Sequence, residues 1–276
     1  MAEASSPDEG EMMETVTSAD GTEIAFERTG SGPPLVFVHG TGVDYTWWDL
    51  SGVSPALADH CTVYAINRRG RGESGDAEEY KLEREVKDVL AVVEPIDDPV
   101  TLLGHSYGAN ISLEAARQTN HLSDLILNDP VIPVGDDYPD GDALVGELTS
   151  LLADGQPEQA LVFIWQAAGV PQPLIDEARS TPNWRELVDA ADTILRELQA
   201  ITENDFDAPR FAGMTTPTLL LSGSESSEIH NDTKEAVSNA VPNCRTVTFD
   251  GHGHFAMVTT QDRFIDEVLA VVRESN

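Results

Sequence analysis

Ser106 stands in the run Gly104-His105-Ser106-Tyr107-Gly108, directly after Leu102-Leu103 and just ahead of an amphipathic stretch. A G-x-S-x-G run between a strand and a helix makes a turn so sharp that bulky residues two positions away would clash. Such a turn lifts the serine hydroxyl clear of the strand end. The positive end of the following helix then favours negative charge developing beside it. A serine hydroxyl is a weak nucleophile until a base takes its proton and an acid orients that base.

If the catalytic order along the chain is serine, acid, histidine, the base lies near the C-terminus. There the chain reads Phe249-Asp250-Gly251-His252-Gly253-His254-Phe255. His254 follows the flexible Gly253 and sits farther into the loop, so it is the expected base, with His252 as the competing candidate. No further ligands cluster in sequence with this pair, so no metal is expected. Acyl chemistry also needs two backbone N–H groups to hold an oxyanion. Tyr107, the residue after the nucleophile, supplies one. Thr41, in Val38-His39-Gly40-Thr41-Gly42, is expected to supply the other, because glycines on either side let the backbone approach a substrate oxygen.

These loops must be carried by regular elements. Two strands, Thr15 to Ser18 and Glu23 to Thr29, flank the turn Ala19-Asp20-Gly21. Short apolar runs then recur at Leu35–Val38, Val63–Ile66, Val100–Leu103, Leu125–Leu127, Thr218–Leu221 and Thr246–Phe249. Their continuous Val, Ile and Leu content suits strands buried on both faces of a parallel sheet. Amphipathic stretches separate them: Lys81 to Val93, Ala109 to Gln118, Thr233 to Val241 and Arg263 to Val272. The alternation predicts an α/β fold. From Pro133 to Arg210 no strand-like run appears, only helix-like stretches such as Gly146–Leu152, Pro157–Ala168 and Trp184–Ala200. An interval of that length is too long for a loop in a compact domain. The expected organisation is a flexible acidic tail over 1–13, a core over 14–132 and 211–276, and an inserted helical cap over 133–210.

The chain has 276 residues with 49 acidic against 16 basic, a formal charge of −33. That balance disfavours nucleic-acid binding, which needs basic patches. Only Lys81, Lys87 and Lys234 are lysines; the other basic residues are arginines. Such a chain repels itself in dilute salt, and molar salt shortens the Debye length to about 3 Å. An acidic, lysine-poor composition resembles that of proteins from organisms with a salt-filled cytoplasm. The first residues carry no basic start and no apolar core of a leader, and no apolar run is long enough to span a bilayer. A cytoplasmic protein without membrane attachment is expected. Cys61 and Cys244 read as small core or strand residues rather than a disulfide. The oligomeric state is not encoded in any of these patterns.

His39-Gly40, the run Asn67-Arg68-Arg69-Gly70-Arg71-Gly72-Glu73-Ser74-Gly75, the Ser106 turn and Gly251-His252-Gly253-His254 together resemble the α/β-hydrolase superfamily, in order and spacing, from about residue 15 to 273. The resemblance implies an eight-stranded, mostly parallel sheet flanked by helices, a helical cap after the sixth strand, and a Ser-His-acid triad. Dehalogenases and epoxide hydrolases of this fold carry aspartate at the Ser106 position, so those chemistries are disfavoured. The family usually places its acid after the seventh strand, where this chain has Ser226, which cannot carry a charge. Two substitutes exist. Asp129 ends the sixth strand in Leu127-Asn128-Asp129-Pro130 and is favoured; Glu225, one residue early, is the alternative. Trp47 and Trp48 near the oxyanion loop, and Trp165 from the cap, are expected to line the substrate pocket. The expected chemistry is hydrolysis of a small-molecule carboxylic ester or lactone, with no cofactor. A C–C bond hydrolase, a lyase and a perhydrolase of the cofactor-free haloperoxidase type share this constellation. A non-catalytic small-molecule receptor on the same fold is the alternative of another class.

Overall fold

A computed structural model describes residues 12–135, 139–204 and 206–274. Up to residue 11 the expected tail lies outside the described residues. From Met12 the chain is already in strand, three residues before the expected start.

The first hairpin joins β1 (Met12–Thr17) to β2 (Glu23–Gly30). β3 (Pro34–Val38) leads into two short helices, α1 (Trp47–Leu50) and α2 (Val53–Ala58), and then β4 (Thr62–Ile66). The next units are α3 (Leu82–Val93), β5 (Val100–His105), α4 (Tyr107–Ala116) and β6 (Leu122–Asn128). Five helices follow among the described residues: α5 (Pro139–Ala153), α6 (Pro157–Ala167), α7 (Gln172–Ala178), α8 (Trp184–Asp189) and α9 (Asp192–Thr202). A 3-10 turn at Ala208–Phe211 returns the chain to β7 (Thr218–Gly223). α10 (Glu228–Ala240), β8 (Cys244–Phe249), α11 (Ala256–Thr259) and α12 (Gln261–Glu274) complete it.

The strands form one eight-stranded sheet in the order β1-β2-β4-β3-β5-β6-β7-β8. β2 runs antiparallel to both of its neighbours, and every other pair is parallel. Every residue of β3, β5 and β7 is buried, as strands covered by helices on both faces must be. β8, at the edge, is half exposed. The α/β class is the one the alternating pattern predicts, and the eight-stranded, helix-flanked architecture is the one the family resemblance implies.

Some elements differ from expectation for local reasons. The stretch Trp184–Ala200 is two helices, broken at Ala190 and Ala191. α10 starts five residues before Thr233, because its first turn is largely polar and carries no continuous apolar stripe. Likewise α5 begins in an acidic segment ahead of Gly146. α1, α2 and α7 are shorter than two full turns, too brief for a 3.6-residue period to declare itself.

The register brings the strand ends together. His105 pairs with Asn128, and Asn128 pairs with Leu221. The residues that follow β5, β6 and β7 therefore emerge side by side at the carboxyl edge of the sheet, where ligands bind in open α/β sheets. No helix among the described residues is long and apolar enough to cross a membrane.

Candidate active site

Ser106 stands between β5 and α4 with φ 55° and ψ −126°, a conformation that L-residues seldom adopt and that costs on the order of 1–3 kcal/mol. Its N–H is held by the Asn128 carbonyl at 2.9 Å. The flanking glycines are steric requirements. A Cβ on Gly104 would collide with the Gly108 carbonyl and the Ser112 hydroxyl, and one on Gly108 would collide with the Val38 and His39 carbonyls. The strand, the helix and β3 therefore close around the serine only with glycine at both positions. Tyr107 is the first residue of α4, so its N–H has no carbonyl one turn back to bond within the helix. Its side chain points away from the cavity, buried between Arg68 and Tyr80.

The loop after β3 presents its backbone to the same point. A Cβ on Gly40 would lie 3.0 Å from Cβ of Ser106, so only glycine lets the two backbones approach this closely. The Gly40 carbonyl accepts hydrogen bonds from Nδ1 of His39 at 2.9 Å and from Nη1 of Arg68 at 3.0 Å. Nε2 of His39 accepts from the Arg68 N–H at 3.2 Å, which assigns the proton to Nδ1. His39 is held in this neutral form: burial and the adjacent Arg68 push its pKa well below the ordinary value. Because a trans peptide points its C=O and N–H in opposite directions, anchoring the Gly40 carbonyl aims the Thr41 N–H the other way. His39 and Arg68 thus fix the orientation of the expected oxyanion donor, a role that residue spacing did not reveal.

Arg68 is in turn fixed by a buried ion cluster. Its guanidinium takes Glu85 through Nε and Nη2 at 3.1 and 2.5 Å, and Glu197 lies 3.4 Å away. Arg71 donates to Glu197 at 2.9 Å. All four side chains are essentially inaccessible to solvent. Burial would raise the Glu197 pKa, but Arg68 and Arg71 outweigh it and hold the carboxyl below its ordinary value. Glu197 belongs to α9, so this cluster ties the helices between β6 and β7 to the loop that carries Arg68. Trp165 of α6 adds a second tie, donating from Nε1 to the Gly42 carbonyl at 3.0 Å.

His254, in the loop after β8, is buried. Its Nδ1 lies 3.1 Å from Oδ2 of Asp129, which leaves Nε2 as the nitrogen free to exchange a proton. Asp129 follows β6 with φ 48°, and aspartate tolerates that left-handed backbone better than most residues. Ser226 donates to the same Oδ2 at 2.5 Å. Burial would raise the Asp129 pKa. The hydrogen bond and charge of His254, the nearby His230 and the Ser226 hydroxyl reverse this and hold it well below the carboxylate range. Glu225, the alternative acid, points to solvent, and His252, the alternative base, bonds the Thr259 hydroxyl instead.

Two further imidazoles pack on His254. Ring centroids of His105 and His230 lie 4.6 and 4.2 Å from it. His230 is anchored by the Ser227 hydroxyl at 2.7 Å, and burial together with His254 lowers its pKa to about 3. Asp129, His230 and His254 also form the group of described residues with metal-ligand potential, their donor atoms lying within 4.8 Å. Oδ2 of Asp129 is already shared between Ser226 and His254, an arrangement suited to orienting an imidazole.

Ser106, His254, Thr41 and Trp165 line one cavity of about 610 Å³. Trp47 and Trp48 do not line it. Trp48 is buried on Phe37, and Trp47 sits behind the wall, edge-on to Trp165 and Phe255. As neighbours on the short α1 they project into the core and into the packing beneath Trp165, so the expected pocket role fails for both. The two cysteines are free.

A sheet of this order, with a serine turn after β5 and a histidine after β8, defines an α/β hydrolase. Residues 35–267 match the Alpha/beta hydrolase family, and the chain belongs to it. It is similar in structure to an α/β hydrolase from Sphaerobacter thermophilus, 33% identical at a TM-score of 0.72, covering 91% of this chain and 99% of that one. An esterase from Exiguobacterium antarcticum is 21% identical at a TM-score of 0.80, over 95% and 100% of the two chains. An N-formylmaleamic acid deformylase from Pseudomonas putida is 23% identical at 0.74, over 93% and 100%.

Proposed function

We propose that this protein is a serine hydrolase that cleaves carboxylic esters or lactones through an acyl-enzyme. One observation carries the reading: the strained Ser106 opens into the same cavity as His254, whose Nδ1 is held by the buried Asp129. Nε2 of His254 takes the proton as Ser106 Oγ attacks the carbonyl carbon. The oxyanion that forms is held by the N–H groups of Thr41 and Tyr107. Collapse of the tetrahedral intermediate expels the alcohol, which receives its proton from His254. Water, deprotonated by the same imidazole, then attacks the acyl-enzyme and releases the acid. Asp129 stays ionised throughout and stabilises the imidazolium. The helices α5 to α9 act as a cap that closes the cavity above Ser106. The charge of −33 fits work at high ionic strength, where self-repulsion is screened.

A fluorophosphonate probe tests this reading. Stable labelling in molar KCl that vanishes in Ser106→Ala is the expected result. A folded protein that takes up no label under those conditions refutes it.

A further inference from the structure

The cavity walls point to a particular class of substrate, and this inference rests on the hydrolase reading above. Val43, Val131, Phe163, Ile164, Leu198 and Ile229 supply apolar wall on several sides. Beyond the groups already assigned to chemistry, the polar contributions come from Glu147, Ser227 and His230, with His105 behind the nucleophile. None of the described lining residues is a lysine or arginine. The lack of cations extends past the wall itself, since residues 118–178, which supply β6 and α5 to α7, contain no lysine or arginine at all. Arg68 and Arg71, which fix the loop beside Ser106, are buried against Glu85 and Glu197 and are absent from the lining. His230 and His105 are both held neutral by burial and by His254, so neither imidazole offers a positive charge. Among the described lining residues, the one acidic side chain is Glu147, exposed on α5.

We infer that the acyl group this site accepts is uncharged and apolar, and that substrates with a carboxylate on the acyl chain are selected against. An anionic group entering the cavity would leave water without finding a cationic partner, a heavy cost in a largely apolar site, and would approach Glu147 as a like charge. An alkyl chain, in contrast, gains with every methylene buried, by roughly fourfold in affinity for the transition state.

Two fluorophosphonates with tails of equal length test this, one ending in methyl and one in carboxylate. Second-order labelling rates at Ser106 are measured in about 2 M KCl, so that the field of the net charge is screened and local contacts decide. The methyl-tailed probe is expected to label at least about tenfold faster. Matched turnover of p-nitrophenyl hexanoate against the mono-p-nitrophenyl ester of adipate is expected to show the same order. A carboxylate-tailed probe that labels as fast as its neutral partner, or faster, overturns the inference while leaving the hydrolase reading in place. Failure of both probes to label overturns the hydrolase reading, and this inference with it.

Discussion

The Ser226 hydroxyl donates to Oδ2 of Asp129 at 2.5 Å. The position after β7, where the family resemblance places the acid, thus holds a donor for an acid that stands after β6. Asp129→Asn is expected to lower kcat on ester substrates by on the order of 10³–10⁴, because an amide stabilises the wrong tautomer of His254. Ser226→Ala leaves Asp129 in place and costs far less, about tenfold at most. Glu225→Gln leaves kcat unchanged. Exchanging the two residues, Asp129→Ser with Ser226→Asp, recovers part of the loss of Asp129→Asn, since adjacent strand ends reach the same imidazole. Loss of activity in Glu225→Gln alone contradicts the assignment of Asp129.

Gly40 tests how closely the oxyanion loop must approach Ser106. Its Cβ position lies 3.0 Å from Ser106 Cβ and 3.3 Å from the His105 carbonyl, and its φ lies outside the left-handed region. Gly40→Ala is therefore tolerated by the backbone but pushes the loop away from Ser106. The expected result is a thermal midpoint close to wild type with kcat reduced by about 10²-fold, the scale of a lost oxyanion donor. Unchanged kcat in a folded Gly40→Ala protein places the donor elsewhere.

Glu197 links α9 to the same loop through Arg68. Glu197→Gln removes the charge facing two buried guanidiniums and is expected to destabilise the fold by about 3–5 kcal/mol, the usual cost of breaking a buried ion pair. Arg68 also anchors the Gly40 carbonyl, so kcat should fall while KM changes little, the signature of an interaction made in the transition state. Urea unfolding and steady-state kinetics separate the two effects. A stability loss with kcat intact confines Glu197 to holding the helices in place.

How much of this was legible beforehand depends on the range of each interaction. The strands were readable because β3, β5 and β7 are buried on both faces and so carry uninterrupted apolar runs. The Ser106 turn is local, since its glycines, strand and helix lie within a few residues. Asp129 left a weaker trace, a carboxylate before Pro130 at a strand end. Glu197 left none: it meets Arg71 across 126 positions, and one more acid in so acidic a chain carries no signal. His230 was equally silent, because its approach to His254 depends on where α10 starts, and that first turn has no apolar stripe. Trp47 and Trp48 show the converse error. Their place beside the oxyanion loop was readable, but not the direction in which α1 turns them.

Acid sensitivity follows from the buried imidazoles. His230 has its pKa lowered from 6.5 to about 3, so below about pH 6.5 the unfolded chain binds a proton that the folded chain refuses. Stability at this site is therefore lost as pH falls from about 6.5 toward 3. Asp129, with its pKa depressed, contributes stability that is present above the ordinary carboxylate range and lost as pH falls through its folded value. His230→Gln removes the first contribution. Urea midpoints in 2 M KCl should fall less steeply between pH 6.5 and 4 for the variant than for wild type. Parallel slopes for the two proteins contradict a neutral, buried His230.

The charge of −33 makes a prediction that separates surface from core. Repulsion among exposed carboxylates is long-ranged in dilute buffer and is screened once the Debye length falls to a few ångströms. The buried pairs Arg68–Glu85 and Arg71–Glu197 exclude solvent ions and should not weaken in parallel. Stability should therefore rise with KCl, most steeply at low concentration where the Debye length changes fastest, and level off toward 2 M. Potassium sulfate at matched ionic strength gives a further rise, because sulfate is excluded from protein surface and strengthens apolar burial as well. The measurement is the thermal midpoint from dilute buffer to 2 M KCl at pH 7. A midpoint that stays flat over that range refutes adaptation to high ionic strength, and one that falls with KCl shows that exposed ion pairs outweigh the repulsion.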